Sequence, residues 1–183
     1  MLPLIYIDRD GTLIEDRHYL ADPKLVKLLP GALAGLKMLK KEGFTVVVIS
    51  NQSGIGRGLL TRAQVESVNH RFLKLLASHK VKIAGLFYCP HRPAAGCSCR
   101  KPRPGLIKRA ARSLGRSWRG GISIGDKESD VQLGRRSGGS GILVRQKRGR
   151  KFSTTADYVA GDFRSAVKWI IRKAKMRESI YDR

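Results

Sequence analysis

The segment Phe44-Thr-Val-Val-Val-Ile49 is apolar and β-branched almost throughout. A strand of that kind has no face to offer to water, so it must be covered on both sides, which is the environment of a parallel sheet in an α/β protein. Comparable short runs recur at Leu2 to Ile7, Val81 to Tyr88, Gly121 to Ile124 and Gly141 to Val144, with a last edge strand predicted at Asp157 to Ala160. Between them lie helical patterns. Pro30-Gly31 opens a helix that runs through Lys41, with Leu33, Leu36 and Leu39 on one face, and Gly43 stops it. Thr61-Arg-Ala-Gln64 is a capping box ahead of Val65, Val68, Phe72, Leu75 and Leu76, and a helix of about four or five turns follows. Further helices are expected near Pro104, near Asp130 to Arg136, and from Asp162 to about residue 178, the last with a mostly basic polar face. The alternation argues for an α/β fold: a Rossmann-like parallel sheet with helices on both faces.

The length of 183 residues suits one domain, 1–183, with little room for a large cap or accessory domain. No stretch approaches the roughly 20 apolar residues needed to span a bilayer, and Met1 to Ile7 lacks the basic start and cleavage site of a signal peptide. A cytoplasmic protein with no membrane insertion is therefore expected, with a monomer as the simplest state. The three cysteines cannot all pair internally, which also fits a reducing compartment. The net charge of +23 is the unusual feature of the composition. It predicts attraction to polyanions, with nucleic-acid binding possible but not favoured, because few aromatic residues lie near the basic stretches in sequence. No acid occurs between Glu66 and Asp126, and Arg145 to Lys151 is a compact basic run. Gly149 to Thr155 reads as a flexible loop.

In open α/β sheets, sites form at the carboxyl ends of the strands, so the residues that directly follow each predicted strand carry the chemistry. They are Asp8 and Asp10, then Ser50-Asn51-Gln52, then Arg100-Lys101, and finally Asp126 with Asp130 four residues on. Asp8 and Asp10, spaced i, i+2 on an extended segment, would point to the same side. Carboxylates, a hydroxyl-amide cluster and a lysine at one edge make an anion site held together by a divalent cation. Hard oxygen ligands suit Mg²⁺, which keeps several waters and binds phosphate oxygens. Lys101 and the Ser50 hydroxyl would neutralise a transferring phosphoryl group. A second cluster lies in Cys89-Pro-His91-Arg-Pro-Ala-Ala-Gly-Cys97-Ser-Cys99. Cys₃His is a closed tetrahedral zinc set, so residues 89–99 read as a zinc-stabilised loop that presents Arg100 and Lys101.

Ile5-Tyr-Ile-Asp8-Arg-Asp10-Gly-Thr12, Val48-Ile-Ser50-Asn51, Lys101-Pro102 and Ile124-Gly-Asp126-Lys-Glu-Ser-Asp130 together resemble the four ordered motifs of the haloacid-dehalogenase superfamily of phosphatases. The resemblance implies that Asp8 attacks phosphorus to give an aspartyl phosphate, while Asp10 protonates the leaving alcohol and then activates water. It also implies that Mg²⁺ is held by the Asp8 carboxylate, the Asp10 backbone carbonyl and Asp126, with Asp130 in support, and that Ser50 and Lys101 stabilise the phosphoryl group.

The zinc loop, with Asp16-Arg17-His18-Tyr19, Ser50 to Gly58, Cys99 to Pro102 and Gly125 to Lys127, is similar to one branch of that superfamily, the D-glycero-D-manno-heptose 1,7-bisphosphate 7-phosphatases. That likeness implies a small phosphorylated sugar as substrate, loss of its C7 phosphate, and no large cap domain. The implied substrate contacts are Arg9, Asp16, Arg17, His18, Tyr19, Asn51, Gln52, Ser53, Arg100 and Lys127, beside the catalytic Asp8, Asp10, Ser50 and Lys101. Histidinol phosphate, a nucleic-acid 3′-phosphate, or a non-catalytic nucleic-acid-binding role on the same scaffold are the rival readings. The large positive charge is not something the resemblance implies.

Overall fold

A computed structural model describes residues 1–145 and 153–181, the last five of these as helix backbone. Strands β1 (Ile5–Ile7), β2 (Val46–Asn51), β3 (Gly85–Cys89), β4 (Ile122–Gly125), β5 (Gly141–Val144) and β6 (Tyr158–Ala160) form one sheet in the order β3-β2-β1-β4-β5-β6. Every pairing is parallel. The helices are α1 (Ala32–Lys41), α2 (Ser53–Gly56), α3 (Arg62–Ser78), α4 (Gly105–Ser113), α5 (Glu128–Arg136) and α6 (Phe163–Tyr181).

The central strands have alternate residues on opposite faces, as the period of two requires. Ile5, Ile7, Val46 and Val48 pack with Leu36 and Leu39 of α1, Val68 and Phe72 of α3, and Val167 and Ile170 of α6. Leu4, Tyr6, Val47 and Ile49 pack on the other face with Ile107 and Ala110 of α4 and Leu133 of α5. The expected layers of helix, sheet and helix are therefore present. Both arms of the predicted capping box also form: Gln64 N–H donates to Thr61 Oγ1 at 3.1 Å, and Thr61 N–H to Gln64 Oε1 at 2.8 Å.

β1 starts three residues later than expected and β2 is shifted two residues toward its carboxyl end, taking in Ser50 and Asn51. Val81 to Ala84 lie outside β3, although Val81 is buried. Val81 N–H bonds to Leu76 O and packs in the cluster beneath α3, so its apolar character serves the helix junction. The Gly-rich stretch after β2 coils into α2 rather than staying a loop. Gly56 there could carry no side chain, since a Cβ would lie 2.6 Å from the Arg92 backbone nitrogen. Most of the predicted Gly149 to Thr155 loop and of the basic run at Arg145 to Lys151 falls outside the described residues. Among the described residues, no helix is long and apolar enough to cross a membrane.

Candidate active site

The carboxyl ends of β1, β2 and β4, the segment after the cysteine-rich loop and the residues opening α5 surround a cavity of about 380 Å³. Asp8, Asp10, Ser50, Asn51, Gln52, Ser53, Lys101, Lys127 and Asp130 line it, as do Asp16, His18 and Tyr19 from the loop after β1. Lys101 is at its floor. Its ammonium lies 2.5 Å from Asp8 Oδ1, 2.6 Å from Asp130 Oδ1 and 2.6 Å from the Ile49 carbonyl. Burial alone would lower the Lys101 pKa, but Asp130 and Asp8 outweigh it and hold the amine protonated. Burial pushes the Asp8 carboxyl up, Lys101 pulls it back and Asp130 raises it again.

Asp8, Asp126 and Asp130 each place a carboxylate oxygen within 4.8 Å of one another. Asp126 is pushed up to about 7, first by burial and then by the negative charge of Asp8. Asp126 Oδ1 is buried with no hydrogen-bond partner. An unanswered buried lone pair amid three carboxylates fits a hard cation, and these residues could hold a metal ion. Gly11, at φ 79°, leaves the space: a Cβ there would collide with Asp126 Oδ2.

Asp10 lines the same cavity as Asp8, as expected, but its carboxylate is not part of this cluster. β1 ends at Ile7, and the chain turns at once. The Asp10 carboxylate accepts from Gln52 Nε2 at 2.8 Å and Ser50 Oγ at 3.3 Å, and it pairs with Arg9 at 3.0 Å. Arg9, expected among the substrate contacts, is on the cavity lining although it is only 1% exposed. Its guanidinium donates to both Asp10 oxygens and, from Nη1, to Asn69 Oδ1 on α3. Arg9 thus ties Asp10 to α3. Asn69 gave no signal in the sequence beyond a polar residue on a helix whose apolar face was the legible part.

Asn51 has a similar task. Its side chain donates to Lys101 O at 3.3 Å and accepts from Lys101 N–H at 3.1 Å, tying the end of β2 to the backbone of Lys101. At the mouth, Lys127 Nζ lies 3.3 Å from Asp16 Oδ2, and Asp16 Oδ1 accepts from His18 N–H at 3.2 Å. These contacts pin a turn in which His18 and Tyr19 both adopt positive φ, 39° and 51°. Arg17 pairs instead with Glu15 at 2.7 Å, and neither Arg17 nor Arg100 lines the cavity. Leu20, Gly54 and Ser129 line it without having been anticipated. Gly54 matters for shape, because a Cβ there would lie 2.7 Å from the Tyr19 ring.

The second cluster is assembled as its spacing suggested. Cys89, His91, Cys97 and Cys99 converge, with Cys89 Sγ 3.2 Å from Cys99 Sγ and 3.6 Å from Cys97 Sγ, and His91 Nδ1 3.2 Å from Cys99 Sγ. The sulfur separations are far beyond a disulfide's roughly 2 Å, and the three thiols are free. These four residues could also hold a metal ion. The loop is anchored to the site by Gly56 N–H to Pro90 O at 2.8 Å and Gly105 N–H to Ser98 O at 3.0 Å.

Residues 98–166 match the HAD-hydrolase-like family. A D-glycero-beta-D-manno-heptose-1,7-bisphosphate 7-phosphatase of Salmonella typhi is 33% identical over 178 residues, covering 93% of this chain and 90% of that one. The enzyme of the same name from Escherichia coli K12 is 33% identical, with 93% and 88% covered. The crystal structure of a D,D-heptose 1,7-bisphosphate phosphatase from B. bronchiseptica, complexed with magnesium and phosphate, superposes with a TM-score of 0.79 at 30% identity, covering 94% of this chain and 99% of that one.

Proposed function

Because the chain belongs to the D-glycero-beta-D-manno-heptose-1,7-bisphosphate 7-phosphatase family of HAD-like hydrolases, we propose that it removes the C7 phosphate of that bisphosphate and leaves heptose 1-phosphate. The observation that carries the reading is Lys101, buried between Asp8 and Asp130 at the floor of a cavity whose wall holds Asp10 on a separate set of partners. One carboxylate is thus placed beside a fixed cation, and a second is free of it.

Asp8 attacks phosphorus, the bond from phosphorus to the C7 oxygen breaks, and Asp10 delivers its proton to that oxygen. Asp10 then takes a proton from water as the water attacks the phosphoryl-Asp8, which releases phosphate and restores Asp8. Splitting one displacement into two is the gain from a carboxylate nucleophile. Lys101 and Ser50 meet the charge on the equatorial oxygens without reorganising, since Lys101 is already locked by Asp130 and Ile49 O. Arg9, Ser50 and Gln52 fix the Asp10 carboxylate so that its proton moves along one line.

Asp8 and Asp126, with the Asp10 carbonyl, would hold Mg²⁺, which lets an anionic carboxylate approach an anionic phosphate. Cys89, His91, Cys97 and Cys99 suit Zn²⁺: bonds of about 2.3 Å in a tetrahedron require sulfur–sulfur edges near 3.8 Å, and the observed edges run from 3.2 to 3.6 Å. With four protein ligands the role is structural, fixing the loop that ends at Lys101. Lys127, Asp16, His18 and Tyr19 at the mouth would meet the sugar and its distal phosphate. A ³¹P NMR time course of heptose 1,7-bisphosphate with Mg²⁺ tests the assignment. Loss of the C7 phosphomonoester signal with the anomeric phosphate retained supports it; loss of the C1 signal, or no hydrolysis, overturns it.

A further inference from the structure

The charge of +23 is unevenly spread. Residues 67–125 contain no acid at all, and four of their thirteen Lys and Arg residues line one depression. Lys108, Arg109 and Arg112 project from α4 into solvent, with Arg103 just before the helix and Arg119 after it. None of the five has a carboxylate within 4 Å among the described residues, whereas Arg17, Lys27, Lys127 and Lys175 each do. Arg103, Lys108, Arg109 and Arg112 line a shallow depression of about 490 Å³ together with Ser98 and Gly105.

We propose that this α4 face binds the phosphate backbone of a nucleic acid, separately from the phosphatase cavity. Four of the five cations are arginines, whose planar guanidinium forks match phosphate oxygens two at a time. Unpaired surface cations gain Coulomb energy from a polyanion and release its condensed counterions, and here no local carboxylate competes. Aromatic rings are interleaved with them in space. Lys108 and Arg119 lie 4.9 and 5.2 Å from the centroid of Trp118, and Arg109 lies 5.7 Å from that of Phe87. The sequence spacing concealed most of this, because Phe87 is 22 positions from Arg109 and Trp118 ten from Lys108, although Arg119 directly follows Trp118. An anionic membrane fits less well: the exposed large apolar residues are Met1, Tyr19, Leu25, Leu59, Leu73, Val159 and Met176, none of them on this face. A membrane-surface helix needs such residues for its buried side.

The face is also built on the cysteine loop. Arg103 Nη1 donates to Cys97 O at 2.8 Å, and Ser98 O accepts from the first N–H of α4 at 3.0 Å. The depression is therefore tied to that loop, and none of its lining residues lines the phosphatase cavity.

Fluorescence anisotropy with a labelled 20-nucleotide RNA of mixed sequence tests the proposal, comparing two triple variants with the same change in net charge. One is Lys108→Glu, Arg109→Glu, Arg112→Glu; the other is Lys37→Glu, Lys168→Glu, Arg172→Glu on the α1 and α6 face, where all three are likewise exposed. The first should weaken binding by about tenfold or more at 0.1 M salt and reduce the salt slope by about 2, the value for three single-strand phosphate contacts. The second should change it far less, since 0.1 M salt screens beyond roughly 10 Å. The three Gln replacements on α4 should give the same ranking with smaller losses, which guards against misfolding. Equal weakening by both triple variants, salt-independent binding, or retention on phosphatidylserine vesicles that the α4 variant abolishes while RNA binding persists would each overturn it.

Discussion

Two clusters of potential metal ligands lie at opposite ends of one short stretch, and they differ in donor, burial and openness. Asp8, Asp126 and Asp130 offer hard oxygens; Asp8 and Asp130 are buried, a lysine bridges those two, and an oxygen of Asp126 has no partner. Cys89, His91, Cys97 and Cys99 offer soft sulfur and one imidazole, closing on each other in a loop with His91 exposed. The first arrangement has unmet electrostatic demand inside a cavity, which is where a substrate can do something. The second, with a metal held by all four side chains, would leave no open position and would serve to hold Lys101 and the start of α4 in place. Arg100-Lys101 follow Cys99 directly, and Lys101 reaches the first cluster.

The sharpest way to separate the two is to remove one at a time. Asp8→Asn should abolish turnover, by about 10⁴-fold or more, while leaving thermal unfolding close to that of the parent chain. A steady-state assay beside a melting curve checks both, and residual activity within tenfold would sink the nucleophile assignment. Cys99→Ser should do the reverse: a melting temperature lower by several degrees, with activity reduced about ten- to a hundredfold as Lys101 loses its support.

A smaller effect tests how far the support extends around the cavity. Asn69→Leu leaves the buried Arg9 Nη1 without its acceptor, at a cost of about 1–3 kcal/mol in stability. Because Arg9 holds Asp10, kcat should fall about tenfold with KM nearly unchanged, and Asn69→Asp should restore part of it. A KM rise with constant kcat would mean that Asn69 only shapes the fold.

The smallest effect is in pH. Asp126 is raised to about 7 by burial and the charge of Asp8, so in metal-free protein its proton is retained more tightly than in the unfolded chain. Its contribution to stability is full below about pH 4 and is lost as pH rises through 7. A cation requires the ionised form, so Mg²⁺ affinity should climb by up to about tenfold per unit from pH 5 to 7 and level off above. Calorimetric titration of the parent chain and of Asp126→Asn, in which this dependence should weaken, would show it.

Much of the layout could be read from the chain alone. β-branched runs such as Val46 to Ile49 identify buried strands because few other residues suit a strand covered on both faces, and the polar residues after them fall at one sheet edge by topology. The four ligands of the cysteine-rich loop were legible because such residues rarely cluster by chance. Orientation was less accessible. That Asp10 would be held by Ser50, Gln52 and Arg9 rather than join Asp8 and Asp126 had no mark in the chain. The partners of Arg9 were hidden too, and only the packing of α3, which brings Asn69 across 60 positions, shows what its guanidinium holds. The convergence of Trp118, Phe87 and the α4 cations was hidden for the same reason.

The central claim is that bonds change at Asp8 in the oxygen cluster. Rapid acid quench of the enzyme turning over substrate labelled with ³²P at the C7 phosphate, followed by peptide mapping, tests it directly. The account predicts a base-labile phosphoryl group on Asp8, abolished by Asp8→Asn and unaffected in location by Cys99→Ser. Label on another residue, or full turnover with no label on the protein at any quench time, would contradict it.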